Sequence, residues 1–203
     1  GAMDDWELYL HADAPDALVQ LAILHAEFEA IHPFLDGNGR LGRLLVPLFL
    51  VEKGLLSEPN FYISAYLERH RDEYYERLLT VSRDGDWTGW VAFFLEAMTK
   101  QAESNEAKAV QILNLYQLKK GWIARETHSQ HGVRALDWFF ARPIFRASDF
   151  VVSTGIPKPT ANRILRVCRD RGLLRELRPA SGRRPATLAF TELLNIAEGW
   201  SLF

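Results

Sequence analysis

The chain has one cysteine, Cys168, among its 203 residues, and it has no long hydrophobic run. A single cysteine cannot form an internal disulfide, and no Cys/His cluster has the spacing of a zinc site. No stretch of about eighteen apolar residues is available to cross a bilayer, and no signal peptide opens the chain. These absences argue against secreted, membrane-spanning and zinc-binding classes, so we expect a cytoplasmic protein in a reducing compartment.

Strand signals are scarce before residue 170, and helical signals take their place. Apolar residues recur at helical spacing, as in Leu18, Leu21 and Phe28, with Asp16 as a helix-starting residue. The first part of the chain is therefore predicted to be all-helical. The predicted helices lie within residues 13–32 (starting near Asp16), 41–56 (ending near Gly54 and kinked at Pro47), 63–85 and 86–126, the last as one long helix or two abutting ones.

The charge changes sign along the chain. Residues 132–203 carry 12 Lys/Arg against 6 Asp/Glu, whereas residues 1–131 carry 12 against 20. The basic part contains three helical segments followed by two short strands around a Gly-containing turn, which is the order of a winged helix-turn-helix. The alternative is a small packing module that never touches nucleic acid.

The stretch IHPFLDGNGRLGRLL, residues 31–45, holds one His, one carboxylate, three glycines and two arginines. Gly37, Gly39 and Gly42 formally match the G-x-G-x-x-G pattern of dinucleotide-binding folds. That pattern requires a strand before the glycines and a βαβ unit around them. A helix is predicted before this stretch and no strand follows it nearby, so the dinucleotide-binding interpretation fails.

The same glycines suit a different anion site. Gly37 and Gly39 permit backbone conformations that let successive N–H groups point at one anion. The helix predicted to begin near Arg40 adds free N–H groups and the positive end of its dipole. Arg40 and Arg43 share one face of its first turn, and Asn38 can donate through its amide.

Two further side chains add chemistry to this anion site. Asp36 is a suitable magnesium ligand among phosphates, and His32 is a residue type suited to proton transfer at neutral pH. Taken singly, His32 could be a capping residue, Asp36-Gly37 an ordinary turn, and the two arginines solvated surface. Their concentration within twelve residues favours a phosphate-binding catalytic loop.

Residues 32–43, HPFLDGNGRLGR, resemble the signature of the Fic (filamentation induced by cAMP) family, HPFx[D/E]GNGRxxR, at every defined position. The resemblance extends through the flanking helices to about Ala102. It implies an adenylyltransferase that moves AMP from ATP, with Mg²⁺, onto a Ser, Thr or Tyr hydroxyl of a target protein. By this resemblance His32 would deprotonate the hydroxyl, Asp36 would hold the magnesium, and Phe34 would anchor the loop in the core. The residues implied to hold the phosphates are Gly37, Asn38, Gly39, Arg40, Gly42 and Arg43, the last at the γ-phosphate.

Position 39 separates two chemistries of the family. The Doc-like branch, which transfers phosphate, tends to carry Lys where this chain has Gly39, so the resemblance favours AMP transfer. Nothing in the loop reads the base, which leaves transfer of another nucleotide or of a phosphate-containing group open. Tyr62, Tyr66 and Tyr74 are candidates for lining a base pocket, although core packing is the alternative for any one of them.

The resemblance also sets expectations for domains and partners. Residues 1–3 are expected to be an expression remnant, 4–102 an N-terminally shortened Fic catalytic domain, 103–131 a connecting helix, and 132–203 the winged helix-turn-helix domain that many bacterial Fic proteins carry. No segment matches the family's β-hairpin flap or its inhibitory [S/T]xxxE[G/N] helix, so both are expected outside this chain. A homodimer is also considered, and no membrane partner is expected.

The competing hypothesis is a DNA-binding regulator whose Fic-like unit senses a nucleotide. A pure sensor has no need for the proton-transferring His32, because phosphate binding is complete without it. A catalytically silent interaction domain is a third hypothesis, against which the complete motif argues. The side chains predicted to meet DNA are Lys158, Arg163 and Arg166 on the third helix, with Arg183 and Arg184 in the wing.

Overall fold

The computed structural model describes residues 1–182, 184–199 and 201. It is 69% helical with one small three-stranded sheet, which confirms the prediction of a mainly α fold. The chain divides into two compact units, Gly1–Asn105 and Glu106–Phe203, and each has its own hydrophobic core. Within the described residues, no helix combines the length and the apolar character that crossing a membrane would require.

Six helices contribute to the first unit, and three of them differ from the sequence prediction: the first was not predicted, and the fourth and fifth were predicted as one helix. The segment 63–85, predicted as one helix, is divided at His70, where one short helix ends and a longer one begins. Residues 86–126, by contrast, lie almost entirely in a single helix. The helices are α1 (Ala2–Leu10), α2 (Ala17–Ile31), α3 (Asn38–Glu52), α4 (Ser64–Arg69), α5 (Arg71–Asp84) and α6 (Trp87–Thr127), of which α6 continues into the second unit.

The ends of α2 and α3 follow from local chemistry. Asp16 caps α2, because its carboxylate accepts hydrogen bonds from the amides of Leu18 (2.8 Å) and Val19 (3.1 Å). The helix stops at His32, whose backbone is left-handed with φ 50°. Gly37 starts α3 with φ 84°, a conformation that costs glycine little. Pro47 lies within α3, which nevertheless continues to Glu52.

The core of the first unit holds α2 in place from several sides. Helix α2 contacts α1, α3 and α5. Two indole N–H groups donate to its backbone carbonyls, Trp90 to Ala22 (2.7 Å) and Trp6 to Leu24 (2.8 Å). Trp90 is fully buried, so its indole group obtains the acceptor that a buried N–H requires. The loop between α2 and α3 is therefore carried by two firmly packed helices.

The second unit combines short helices with an antiparallel sheet of order β1-β3-β2. Leu188 of the central strand pairs with Phe145 on one side and Glu176 on the other. The sheet contains the two strands predicted around the basic turn and a first strand that the sequence did not indicate. A final helix follows the last strand and was not predicted either. The elements after α6 are α7 (Gly132–Ala141), β1 (Ile144–Arg146), α8 (Ala147–Ser153), α9 (Lys158–Asp170), β2 (Arg175–Arg178), β3 (Thr187–Ala189) and α10 (Thr191–Glu198).

Aromatic side chains fill the core of this second unit. Phe139 and Phe150 are fully buried and stack with their ring centroids 5.1 Å apart. Phe145 of β1 meets the edge of Trp138 at 4.6 Å, which ties the first strand to α7. Only the middle residue of this three-residue strand is buried, so the strand is too short to produce a recognisable alternation in the sequence.

Candidate active site

The start of α3 forms the anion-binding part of the candidate site. In an α-helix the first amides have no acceptor within the helix. Here Leu41 donates to the carbonyl of Gly37 (3.0 Å), so the amides of Asn38, Gly39 and Arg40 are the ones at the free end. These three N–H groups and the positive end of the helix dipole form a site suited to a phosphate group.

Asn38 holds the loop together through its side chain. The residue is only 2% exposed; its Oδ1 accepts from the amide of Phe34 (2.9 Å) and its Nδ2 donates to the carbonyl of Phe34 (2.6 Å). The side-chain amide of Asn38 is thus hydrogen-bonded to the loop backbone, and this structural role adds to the phosphate contact predicted for Asn38. The anchoring role expected of Phe34 is wrong, because its ring is 52% exposed and the loop is held by Asn38.

His32 is exposed at the end of α2 and faces a groove. Its Nδ1 lies 3.4 Å from the carbonyl oxygen of Glu29, so a proton on Nδ1 points at this acceptor and Nε2 is the nitrogen left to act as a base. The groove, of about 440 Å³, runs between α2 and α5, and its lining includes Glu27, Tyr75 and Leu79. A hydroxyl group entering this groove could reach His32.

Asp36 and Arg40 are the most accessible charged groups of the loop. Asp36 accepts a hydrogen bond from the Gly37 amide (2.7 Å), and its other oxygen lies 3.7 Å from the Arg40 guanidinium. Their side chains are 93% and 78% exposed. An exposed pair of this kind contributes little stability, so both side chains can turn toward a ligand at small cost.

Arg43 faces a second cavity, of about 270 Å³, between α3, α4 and α5. Arg71 and Tyr74 also line it, and Tyr75 borders both this cavity and the groove of His32. The structure brings Tyr74, one of the three candidate tyrosines, and Tyr75 to the cavity of Arg43, and it places Tyr62 and Tyr66 elsewhere. Tyr62 is 61% exposed, and Tyr66 is a core residue stacked on His70 with centroids 4.1 Å apart.

A buried contact between the side chains of His25 and Tyr74, which the sequence did not predict, lies next to Gly42 and Arg43. His25 on α2 contacts the Tyr74 hydroxyl through Nε2 (3.1 Å) and the Gly42 carbonyl through Nδ1 (3.3 Å). Burial lowers the pKa of His25 to about 4, opposed by the bond to Gly42 and assisted by the Arg43 charge. Burial likewise raises the pKa of Tyr74. Gly42 is buried within α3 and faces α2, which differs from its predicted part in phosphate binding.

The lowered pKa of His25 makes the stability of the first unit depend on pH. Between pH 6.5 and 4, His25 is protonated in the unfolded chain but stays neutral in the folded chain. The contribution of His25 to the free energy of unfolding is therefore fully present above pH 6.5 and is lost as the pH falls toward 4. We expect a loss of about 3 kcal/mol across this pH range. His25→Gln should flatten this part of a urea-unfolding series measured at stepped pH.

The matched control for that series is His11→Gln. His11 has a 61% exposed side chain, so its replacement should leave the pH dependence intact. If His25→Gln and the wild type lose stability with the same slope between pH 6.5 and 4, His25 is not the group responsible.

The basic residues of the second unit differ in how free they are. Lys158, Arg166 and Arg184 are exposed. Arg163 donates to the carbonyl of Thr127 (2.6 Å), where it caps the end of α6. Arg183 lies outside the described residues. Arg163 is exposed as well, but its hydrogen bond to Thr127 engages the guanidinium, so Lys158 and Arg166 are the residues whose replacement tests DNA binding.

Comparison with known proteins assigns the segment that carries the loop. Residues 1–50 match the model of the Fic/DOC family. This segment, called the Fic segment below, is similar to the Fic/DOC family. The Fic segment contains the whole stretch from His32 to Arg43, together with α1 and α2.

Relatives of the Fic segment are found in bacteria and eukaryotes. A probable protein adenylyltransferase of Aquifex aeolicus is 49% identical over 57 residues, which is 26% of this chain and 18% of that protein. A Fido domain-containing protein of Dictyostelium discoideum is 43% identical over 61 residues, 27% of this chain and 41% of that protein. The protein adenylyltransferase Fic of Aedes aegypti is 37% identical over 75 residues, 37% of this chain and 14% of that protein. The matched parts thus span less than half of each relative.

One solved structure resembles most of the chain. A Fic family protein from Desulfovibrio desulfuricans G20 aligns with 94% of this chain and 54% of its own, at a TM-score of 0.51 and 24% identity. At that identity the likeness concerns the fold alone. It supports the mainly α architecture in which the Fic segment is embedded.

Proposed function

We propose that the chain is a protein adenylyltransferase, which transfers AMP from ATP to a Ser, Thr or Tyr hydroxyl of a target protein. The observation that carries the proposal is the position of His32, which ends α2 beside the free amides that begin α3. A base and a phosphate site on one short loop are what attack by a hydroxyl on a phosphate requires. The names of the relatives from Aquifex aeolicus and Aedes aegypti support the choice of AMP.

In the proposed reaction His32 takes the proton of the target hydroxyl on Nε2. The hydroxyl oxygen forms a bond to the α-phosphorus of ATP, and the bond from that phosphorus to the bridging oxygen breaks, so that pyrophosphate leaves. The amides of residues 38–40 and the guanidinium of Arg43 face the phosphates, where negative charge develops. Arg40 and Asn38 complete the set of groups that face the phosphates. The Asn38 side chain also holds the loop in its conformation.

Magnesium fits this site through Asp36. Among residues 1–182, 184–199 and 201, no three His, Cys, Asp or Glu side chains gather into a metal centre. A magnesium ion that bridges nucleotide phosphates needs only one or two protein carboxylates, and the exposed Asp36 at the free end of α3 can supply one. When bound there, the ion would neutralise phosphate charge.

Two labelled forms of ATP test the proposal. The chain is incubated with a cell lysate and ATP labelled either on the α-phosphate or on the γ-phosphate, and labelled proteins are identified by mass spectrometry. AMP transfer keeps only the α-label on the target, whereas phosphate transfer keeps only the γ-label. A γ-label alone would replace AMP transfer by phosphate transfer, and no label in either arm would contradict both.

We also propose that the second unit is a winged helix-turn-helix that binds DNA. Helices α7, α8 and α9 followed by β2 and β3 have the element order of that motif, and α9 would be its recognition helix. The exposed Lys158 and Arg166 on α9 can meet phosphates or base edges.

DNA binding by the full chain should weaken steeply with salt. Each neutralised phosphate contributes about −0.9 to the slope of log affinity against log salt, so Lys158→Ala with Arg166→Ala should flatten this slope by roughly 1–2. Fluorescence anisotropy of a labelled duplex at several salt concentrations measures it, with Lys120→Ala as a control on another helix. Undetectable or salt-independent binding would leave the packing module as the better account.

A further inference from the structure

A carboxylate outside the Fic motif lies against the candidate site. Glu29 is on α2, three residues before His32, and it lines the same groove. Its side chain is directed at the beginning of α3, where Gly39 and Gly42 stand one turn apart. The sequence pattern predicts no role for Glu29, since a glutamate on a helix is ordinarily part of a solvated face.

The two glycines make room for this carboxyl group. A Cβ atom on Gly42 would lie 2.5 Å from Oε1 of Glu29 and 3.3 Å from the ring of Phe28. A Cβ atom on Gly39 would lie 3.9 Å from both carboxyl oxygens and 3.2 Å from Nη1 of Arg43. A side chain on Gly42 would therefore displace the carboxyl group by direct overlap, whereas the position of Gly39 lies at ordinary contact distance from it. The carboxyl of Glu29 and the guanidinium of Arg43 thus face the same glycine.

The partly buried position of Glu29 is energetically unfavourable for a carboxyl group that has only a packing role. Oε1 of Glu29 is buried and accepts no hydrogen bond from the described part of the chain. Burial raises the pKa of Glu29, and the charges of Arg43 and then His32 lower it in part. A glutamine or an apolar side chain would avoid the cost of burying the charge. The nearby positive charges of Arg43 and His32 suggest a reason for a carboxylate at position 29.

We propose that Glu29 is a positioning residue, whose carboxyl group orients the Arg43 guanidinium and offsets the positive charge that forms on His32. The inference rests on the proposed AMP transfer. Arg43 has a long flexible side chain, and a nearby anion narrows the directions in which it points. When His32 accepts a proton, the same anion lies within reach of the new imidazolium charge and stabilises it.

Glu29→Gln tests the proposal, because it keeps the shape and removes the charge. We expect kcat for AMP transfer to fall at least about 10-fold, the lower end of what residues that orient a functional group contribute. The Kd of ATP should change little, and Tm should not fall, since a buried charge has been removed. Glu96→Gln is the matched control: it makes the same charge change at an exposed position of α6, outside the lining of the His32 groove and of the Arg43 cavity.

A second measurement does not depend on catalysis. The charged and titratable groups around Glu29 are Arg43 on α3, His32 at the end of α2 and Tyr74 on α5. In a carbon-13 NMR titration of the Glu29 carboxyl, its midpoint should rise in Arg43→Ala and in His32→Ala relative to the wild type. This result is available even if the wild type transfers no AMP, so failure of the proposed function and failure of this inference are distinguishable.

Two outcomes would overturn the role of Glu29. One is a Glu29→Gln enzyme that keeps its kcat, or that loses kcat only in proportion to a lowered Tm or to the same extent as Glu96→Gln. The other is a midpoint of the Glu29 carboxyl that stays unchanged when Arg43 or His32 is replaced. Either result would make Glu29 an ordinary packing residue.

Discussion

His32→Ala is expected to lower AMP transfer by at least about 10²–10⁴-fold, while the affinity for ATP stays nearly unchanged. A general base acts on the proton that leaves the hydroxyl in the transition state, and it contributes little to contacts with the phosphates in the ground state. The geometry agrees with this separation: His32 ends α2 and faces the groove, whereas the free amides belong to α3. The loss should therefore appear in kcat.

The backbone at His32 calls for a second variant. Its φ of 50° is left-handed, where alanine is mildly strained and asparagine is tolerated. His32→Asn should lose AMP transfer as fully as His32→Ala. Its affinity for ATP, measured by calorimetry, and its Tm should both stay near the wild-type values. Labelling of the target by either variant at an appreciable fraction of the wild-type rate would show that another group is the base.

Arg43→Ala is expected to depress AMP transfer on the order of 10²-fold, far more than it weakens ATP binding. In the proposed complex the amides of residues 38–40 and Arg40 would also contact the phosphates, so much of the binding should survive the loss of one guanidinium. Arg43 lies one turn further along α3 and faces its own cavity. From there it can hold the γ-phosphate and keep the α-phosphorus in line with a hydroxyl at His32.

The donor molecule gives an independent measure of the same effect. ADP lacks the γ-phosphate, so it should be a poor donor for the wild type and should be affected much less than ATP by Arg43→Ala. Arg43→Lys is the control, because it keeps the charge and loses the planar two-point contact. Equal losses in ATP affinity and in transfer rate would mean that Arg43 is an ordinary affinity contact.

Helices α2, α3 and α6 and the composition of the loop could be predicted from the sequence, since both depend on residues close together in the chain. Helical periodicity and the Asp16 cap predicted α2, and the order of the twelve residues from His32 to Arg43 was enough to indicate a phosphate site and the Fic family. Prediction from local sequence failed where the signal was short. The three-residue strand β1 has one buried position, and the division of α4 from α5 at His70 involves no proline or glycine.

Only the tertiary structure decided how the site is supported, because that depends on residues far apart in sequence. His25 meets Tyr74 across 49 positions, and no periodicity predicts such a bond. The packing of α2 against α3 turns Gly42 from a predicted phosphate contact into the opening that admits Glu29. By itself, the sequence determined which chemical groups the loop brings together. Helix packing determined what stands behind them, because burial and charge proximity arise only when α2, α3 and α5 meet.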